Sequence, residues 1–200
     1  MFDDNSSGKI SMTLTQKRCI HIPCGVRTPL APYCAKHAHR ILGLALKPGR
    51  WGCALHTTRK LKKGDVIATY IGEIWNPAQG DKRPYAMSHK DGIRIVDATV
   101  YRSWAAMANH RSPGNVIVEL LNILRNIAGG KTGRVPIVGS PRRCVPTALL
   151  QNPFLEQEDI PFMVAIQDIP AGDELLLDYG VDAEVLNNIR HRTTPSLCGP

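Results

Sequence analysis

The sequence predicts a mainly β domain of many short strands with few short helices, and three observations predict it. Short β-branched runs such as Val66-Ile67-Ala68-Thr69-Tyr70-Ile71 recur between turns rich in Gly and Pro. Nothing in the 200 residues repeats, and no strand-helix-strand alternation suggests a doubly wound sheet. Hydrophobic residues at 43% and charged residues at 21% are ordinary globular values, which excludes a disordered, collagen-like or coiled-coil chain and fits one domain with a small appendage.

Taken in order, residues 1–16 are polar and unpatterned and read as a flexible N-terminus. Residues 54–74 read as strand, Lys62-Lys63-Gly64-Asp65 turn, strand, with the second strand launched by Gly64-Asp65. Further short strands are expected at 92–97 and 162–166, and the turn Ile169-Pro170-Ala171-Gly172-Asp173 leads into a last one at 174–178. Helical signal is confined to two places. At 116–127 the apolar spacing fits helix or strand, and at 182–189 Asp182 offers an N-cap. No apolar run approaches membrane-spanning length and the N-terminus lacks the apolar core of a secretion signal, so no membrane partner is expected.

Lys and Arg number 25 against 17 for Asp and Glu, a net charge of +8 that hides a polarity along the chain. Every charged residue from Asn5 to Gly64 is basic, twelve in all, whereas residues 156–184 carry nine acids and no Lys or Arg. Such asymmetry marks either two solvated faces or two surfaces with different partners: a basic one offering weak nucleic-acid contact and an acidic one suited to a cationic peptide. An acid-free stretch at 120–151 carries Arg125, Lys131, Arg134, Arg142 and Arg143 amid Gly and Pro, and reads as a mobile basic insertion spanning about 120–155.

The six cysteines are unevenly placed, which is unlike a disulfide-stapled secreted domain and suggests a reducing setting. Cys19-x4-Cys24-x9-Cys34-x2-His37 has the residue types and close spacing of a Cys3His zinc site, with His39 and His21 as substitutes for His37. Zinc would supply the folding energy that the loop-rich segment 17–46 lacks. Free cysteines in a loop are the competing reading.

Three separated segments resemble the SET-domain protein lysine methyltransferases. The first is Pro48-Gly49-Arg50-Trp51-Gly52-Cys53-Ala54, followed by Lys63-Gly64-Asp65-Val66-Ile67 and Tyr70-Ile71-Gly72-Glu73. The second is Val96-Asp97-Ala98-Thr99, then Ala108-Asn109-His110 with Asn115 six residues beyond Asn109. The third runs from Ala165-Ile166-Gln167-Asp168-Ile169 through Gly172-Asp173-Glu174-Leu175 to Asp178-Tyr179-Gly180. In this order they cover about 47–181, the extent expected for a SET domain. The resemblance implies several short-stranded sheets with a pseudoknot-like C-terminal crossing. The chain departs from the family pattern at Arg50, where a first glycine is usual, and at Arg111-Ser112-Pro113-Gly114. Only Cys198 stands near the C-terminus, so the family's post-SET zinc cluster is not expected. The segment 182–200, or a second copy of the chain, would then close the active site, making the protein a monomer or a homodimer.

By the same resemblance, Tyr179 is the catalytic tyrosine and Tyr70 a second active-site tyrosine. Arg50, Trp51, Tyr85, Asn109 and His110 bind S-adenosylmethionine, and Leu177 lines the lysine channel. A leucine there leaves no hydroxyl to retain a water, which suggests room for di- or trimethylation. The resemblance thus implies S-adenosylmethionine-dependent methylation of a lysine in a basic peptide or histone tail. It also implies a nuclear or chromatin-associated location, the host nucleus for a viral or intracellular microbial chain and the cytoplasm otherwise. The contrasting function is an inactive SET scaffold that binds chromatin or nucleic acid, for which the altered Arg50 loop and the basic N-terminal half speak.

Overall fold

The computed structural model describes residues 16–75, 85–88, 95–122, 134–137, 140–146 and 159–180. The expectations for the N-terminal tail, for a helix at 182–189 and for a closing segment at 182–200 lie outside the described residues. The strands in chain order are β1 (Lys17–Arg18), β2 (Arg27–Thr28), β3 (Leu30–Ala31), β4 (Leu44–Gly49), β5 (Gly52–Thr57), β6 (Val66–Thr69), β7 (Glu73–Trp75) and β8 (Ala86–Ser88). They continue with β9 (Ile95–Asp97), β10 (Arg102–Ser103), β11 (Asn109–His110), β12 (Val116–Asn122), β13 (Arg134–Ile137), β14 (Ser140–Pro146), β15 (Asp159–Ala165) and β16 (Leu176–Leu177). Helix α1 (Ala35–His37) passes into a wider turn over Ala38–Leu42, which Gly43 ends at φ 69. The expected mainly β architecture of short strands is what the chain adopts.

The β-branched run around Val66 forms β6, buried along its whole length, at one edge of a five-stranded sheet ordered β11-β16-β12-β15-β6. The helix-or-strand alternative at 116–127 resolves as strand over the described part. Val116, Ile117 and Val118 pair with Ala165, Val164 and Met163, and the antiparallel ladder continues to Asn122↔Asp159. Long-range pairing with an apolar neighbour decides what local spacing leaves open. Within the basic insertion β13 and β14 form an antiparallel hairpin from Arg134↔Pro146 to Ile137↔Ser140. The expectation that the insertion is mobile falls mostly on residues 123–133 and 147–158, which lie outside the described residues.

Phe162, Leu55, Leu61, Ile67 and Leu175 are fully buried at the centre of the core. Each such side chain contributes roughly 1.5–3 kcal/mol through burial. Leu30, Tyr33 and Cys34 belong to the same apolar cluster, so the N-terminal segment is continuous with the main core.

The C-terminal crossing is built around β16. Strand β16 lies between β11 and β12 and runs parallel to both, pairing Leu176 with Asn109 and Leu177 with His110 and Val116. The intervening residues 111–115 therefore pass over β16 to return the chain to the start of β12. Asn115 fastens this passage: Leu176 N–H donates to its Oδ1 at 2.7 Å and its Nδ2 donates to Glu174 O at 2.9 Å. Gly114 is needed because a Cβ there would lie 2.5 Å from Leu176 O and 2.8 Å from Asp178 N, both backbone atoms that cannot swing away.

Candidate active site and metal centre

The β4–β5 hairpin pairs Gly49 with Gly52 and leaves Arg50 and Trp51 at its tip. Gly52 takes φ 98, a left-handed backbone that only glycine adopts readily, so the turn is specified by the glycines that flank Arg50-Trp51. The Arg50 guanidinium sits 4.7 Å from the Trp51 ring, and Trp51 remains 38% exposed as an apolar wall. Two residues beyond Trp51, Cys53 O accepts from Asn109 Nδ2 at 3.2 Å, and the second hydrogen of that amide goes to Glu174 Oε1 at 2.8 Å. Both amide hydrogens are spent within the chain, so Oδ1 is the Asn109 atom left to accept from a ligand.

Beside Asn109, His110 pairs with Leu177 across β11 and β16. His110 Nδ1 accepts the backbone N–H of Tyr179 at 3.1 Å, which places the proton of a neutral ring on Nε2. Tyr179 turns its hydroxyl to donate to Ala108 O at 2.6 Å, with its ring centroid 5.2 Å from that of His110. Asp178 is held below the usual carboxylate range by a hydrogen bond from Ser112 and the Gly180 N–H, so it is ionised at neutral pH. Leu177 is half-buried against the core.

Tyr70 is buried, and its hydroxyl donates to Tyr85 O at 2.8 Å. Burial, and next the neighbouring Tyr179, push its pKa well above the ordinary tyrosine range, so it acts as a neutral phenol. The Tyr85 ring lies under the Arg102 guanidinium at 3.6 Å, which puts Tyr85 on the tyrosine side of the site. Arg102 is 2% exposed and donates to Ala98 O and Thr99 O, each at 3.2 Å. His110 and Tyr179 meet beside Asn109 and Leu177, and Tyr70 contacts Tyr85 with Tyr179 nearby, while the β4–β5 hairpin reaches Asn109 at Cys53.

In the N-terminal segment the ligand atoms of Cys19, Cys24, Cys34 and His37 all lie within 4.8 Å of one another. Cys24 and Cys34 Sγ are 3.8 Å apart, and His37 Nδ1 is 3.4 Å from Cys19 Sγ and 3.3 Å from Cys34 Sγ. A tetrahedral zinc with bonds of about 2.3 Å to sulfur and about 2.0 Å to nitrogen has edges of about 3.8 Å between sulfurs and about 3.5 Å from sulfur to nitrogen. The donor set fits that ion in kind and in spacing. Burial lowers the His37 pKa, which favours the neutral imidazole that a metal requires. His21 stacks on the His37 ring at 4.0 Å and His39 is exposed, so of the three histidines His37 completes the set.

A family model described as the SET domain matches residues 52–180, well over half of the chain. The chain belongs to the SET-domain family. Among solved structures it is similar to polycomb repressive complex 2 of Chaetomium thermophilum, at 19% identity and a TM-score of 0.47 over 70% of this chain. A humanized mutant of that complex bound to an inhibitor gives 20% identity and a TM-score of 0.45 over 68%. The chain spans 15% of the length of each of those chains. A search of curated proteins finds no match.

Several residues of this SET domain that shape the site were not singled out from sequence. Glu174 fixes the Asn109 amide, Asn115 fastens β16 and Arg102 supports Tyr85. Asn115 and Glu174 stand inside the quoted motifs, so spacing offered a signal for them, whereas nothing local marks Arg102. The acidic stretch also serves the fold more than expected. Among the described residues Asp168 pairs with Lys62 Nζ at 2.6 Å, Glu174 faces Asn109 and Asp178 closes a turn onto Gly180. The expectation of an acidic surface suited to a cationic peptide rests in part on Glu156, Glu158, Asp182 and Glu184, which lie outside the described residues. Among the described residues no helix is long and apolar enough to cross a membrane.

Proposed function

We propose that this SET domain is an S-adenosylmethionine-dependent protein lysine N-methyltransferase acting on a basic peptide, with a histone-tail lysine as its substrate. The observation that carries this reading is the convergence at the crossing, where the Tyr179 hydroxyl is pinned on Ala108 O beside His110 and Leu177. In the reaction the neutral ε-amine attacks the sulfonium methyl in line. The S–CH3 bond breaks, its electron pair stays on sulfur, and the new methylammonium loses its proton to water. A free lysine titrates near ~10.4, and a narrow apolar channel beside a sulfonium lowers that value and favours the amine.

Each residue then has one task. Tyr179 and Tyr70 form the neck of the channel as neutral phenols whose hydroxyl directions are set by backbone carbonyls. Asn109 Oδ1 accepts from the ammonium of the cofactor's methionine part and the His110 main chain pairs with adenine. The hairpin tip at Arg50-Trp51 covers the methionine part, and Tyr85 closes the pocket on the tyrosine side. Leu177 leaves room for a methylated amine, which suits di- or trimethylation. Catalysis is then largely positioning. Cys19, Cys24, Cys34 and His37 hold a structural zinc. Exposed Arg18, Arg27 and Arg40 on the same segment offer a weak nucleic-acid contact consistent with a chromatin-associated role.

The test is transfer of labelled methyl from S-adenosylmethionine to core histones and to basic peptides. The expected result is label on lysine that falls at least about 100-fold in Tyr179→Phe, in line with loss of a group that orients reactants. Absence of transfer together with absence of cofactor binding would instead favour the inactive scaffold.

A further inference from the structure

The residues that gather the metal ligands and the residue that orients Tyr179 are joined by one buried side chain. Trp104 is 2% exposed, and its Nε1–H donates to the carbonyl of Tyr33 at 2.9 Å. Tyr33 directly precedes the ligand residue Cys34 and is itself buried. An indole has one N–H and one direction in which to donate it, so this contact fixes the ring relative to the metal segment. Towards the active site Trp104 opens the tight turn Ala105–Met107, in which Met107 N–H donates to Trp104 O at 3.1 Å and Ala108 N–H to Ala105 O at 3.3 Å. The next carbonyl, Ala108 O, is the acceptor of the Tyr179 hydroxyl.

A second strand of the same link lies alongside. β10 pairs in parallel with β3, Arg102 with Leu30 and Ser103 with Ala31, so the metal segment also sets the register of the residues just before Trp104. Ser103 Oγ accepts the Ile71 N–H at 3.1 Å, one residue beyond Tyr70, while Arg102 lies over Tyr85, whose carbonyl receives the Tyr70 hydroxyl. Both tyrosine hydroxyls are therefore oriented by backbone that residues 102–108 position, and those residues rest on the Cys3His segment.

We propose that Trp104 is a positioning residue through which the Cys3His segment sets the carbonyl that orients the Tyr179 hydroxyl. The role of Tyr179 rests on the methyltransferase reading above, whereas the mechanical link stands independently of turnover. The metal segment is on this view part of the active-site scaffold, and a change in metal occupancy reaches the tyrosine neck through the Trp104–Tyr33 hydrogen bond and the short turn after it, beside the β3–β10 pairing.

The experiment is residue-resolved amide exchange on zinc-loaded protein, on the same protein after chelation, and on zinc-loaded Trp104→Phe, which keeps an aromatic ring and removes the donor. Loss of one buried hydrogen bond should accelerate exchange at the Met107 and Ala108 amides about tenfold more than at the β12 amides, in the variant and in the chelated protein alike. Where methyl transfer is measurable, Trp104→Phe should lower kcat by about tenfold with the peptide KM unchanged and the zinc content retained. Equal acceleration at 107–108 and in β12, or no acceleration at 107–108, would overturn the proposal. Should Trp104→Phe fail to fold, the chelated wild type carries the same comparison. A protein that transfers no methyl but shows selective exchange would refute the enzyme reading and leave this one standing.

Discussion

Between Cys19 and His37 the backbone makes elements of only two or three residues and gathers around four ligand atoms, whereas between Asn109 and Val116 an equally irregular stretch is held by side-chain amides. The first has thiols and an imidazole at its centre, joined within the chain only by weak hydrogen bonds to sulfur at 3.3 to 3.8 Å. The second has Asn115 and Asn109, each making two hydrogen bonds to partners far away in sequence. Both solve the same problem, which is that irregular backbone inside a fold must have its polar groups satisfied. With zinc bound as proposed, the first solution would depend on an ion from outside and on ligand protonation; the other is complete within the chain.

The largest effect expected from this contrast is at the metal. Chelation should lower unfolding free energy by more than about 3 kcal/mol and expose the Cys19–His37 segment to protease, because binding energy at such a centre is folding energy. A thermal midpoint unchanged by chelation would break the comparison. At the crossing, Asn115→Ala removes the partners of Leu176 N–H and Glu174 O and should cost about 2–3 kcal/mol, read as a lower urea midpoint at constant m. That loss should be insensitive to chelators.

The smallest effect is on the surface. Asp168 is held below its usual pKa first by the hydrogen bond from Lys62 and then by the Lys63 N–H. A carboxyl depressed in the folded state adds stability above its unfolded pKa and loses it as pH falls from about 4 through the lower folded value. Asp168→Asn should therefore flatten that acid limb slightly and leave stability near pH 7 almost unchanged, since the pair is well exposed.

What was legible in the sequence follows from how local each signal is. The run at Val66 and the turn at Gly64-Asp65 were readable because β-branched residues and turn residues act within a few positions. The four candidate metal ligands were readable because soft donors at short spacing are rare without a purpose, and the structure brings them together. The candidate active-site residues came through resemblance, and their grouping depends on pairings such as His110↔Leu177 across 67 positions. Contacts between a side chain and a distant backbone carbonyl, such as Trp104 with Tyr33 or Asn109 with Cys53, leave no periodicity behind. The same holds for the acids at 168–178, whose charge was visible but whose structural partners were not.

The most direct measurement is calorimetric titration of S-adenosylmethionine into the zinc-loaded chain, with Asn109→Ala beside the wild type. The account predicts one site per chain and a loss of at least about tenfold in affinity for the variant, the worth of a hydrogen bond to a charged group. No heat of binding in the wild type, or equal affinity in the two proteins, would contradict it.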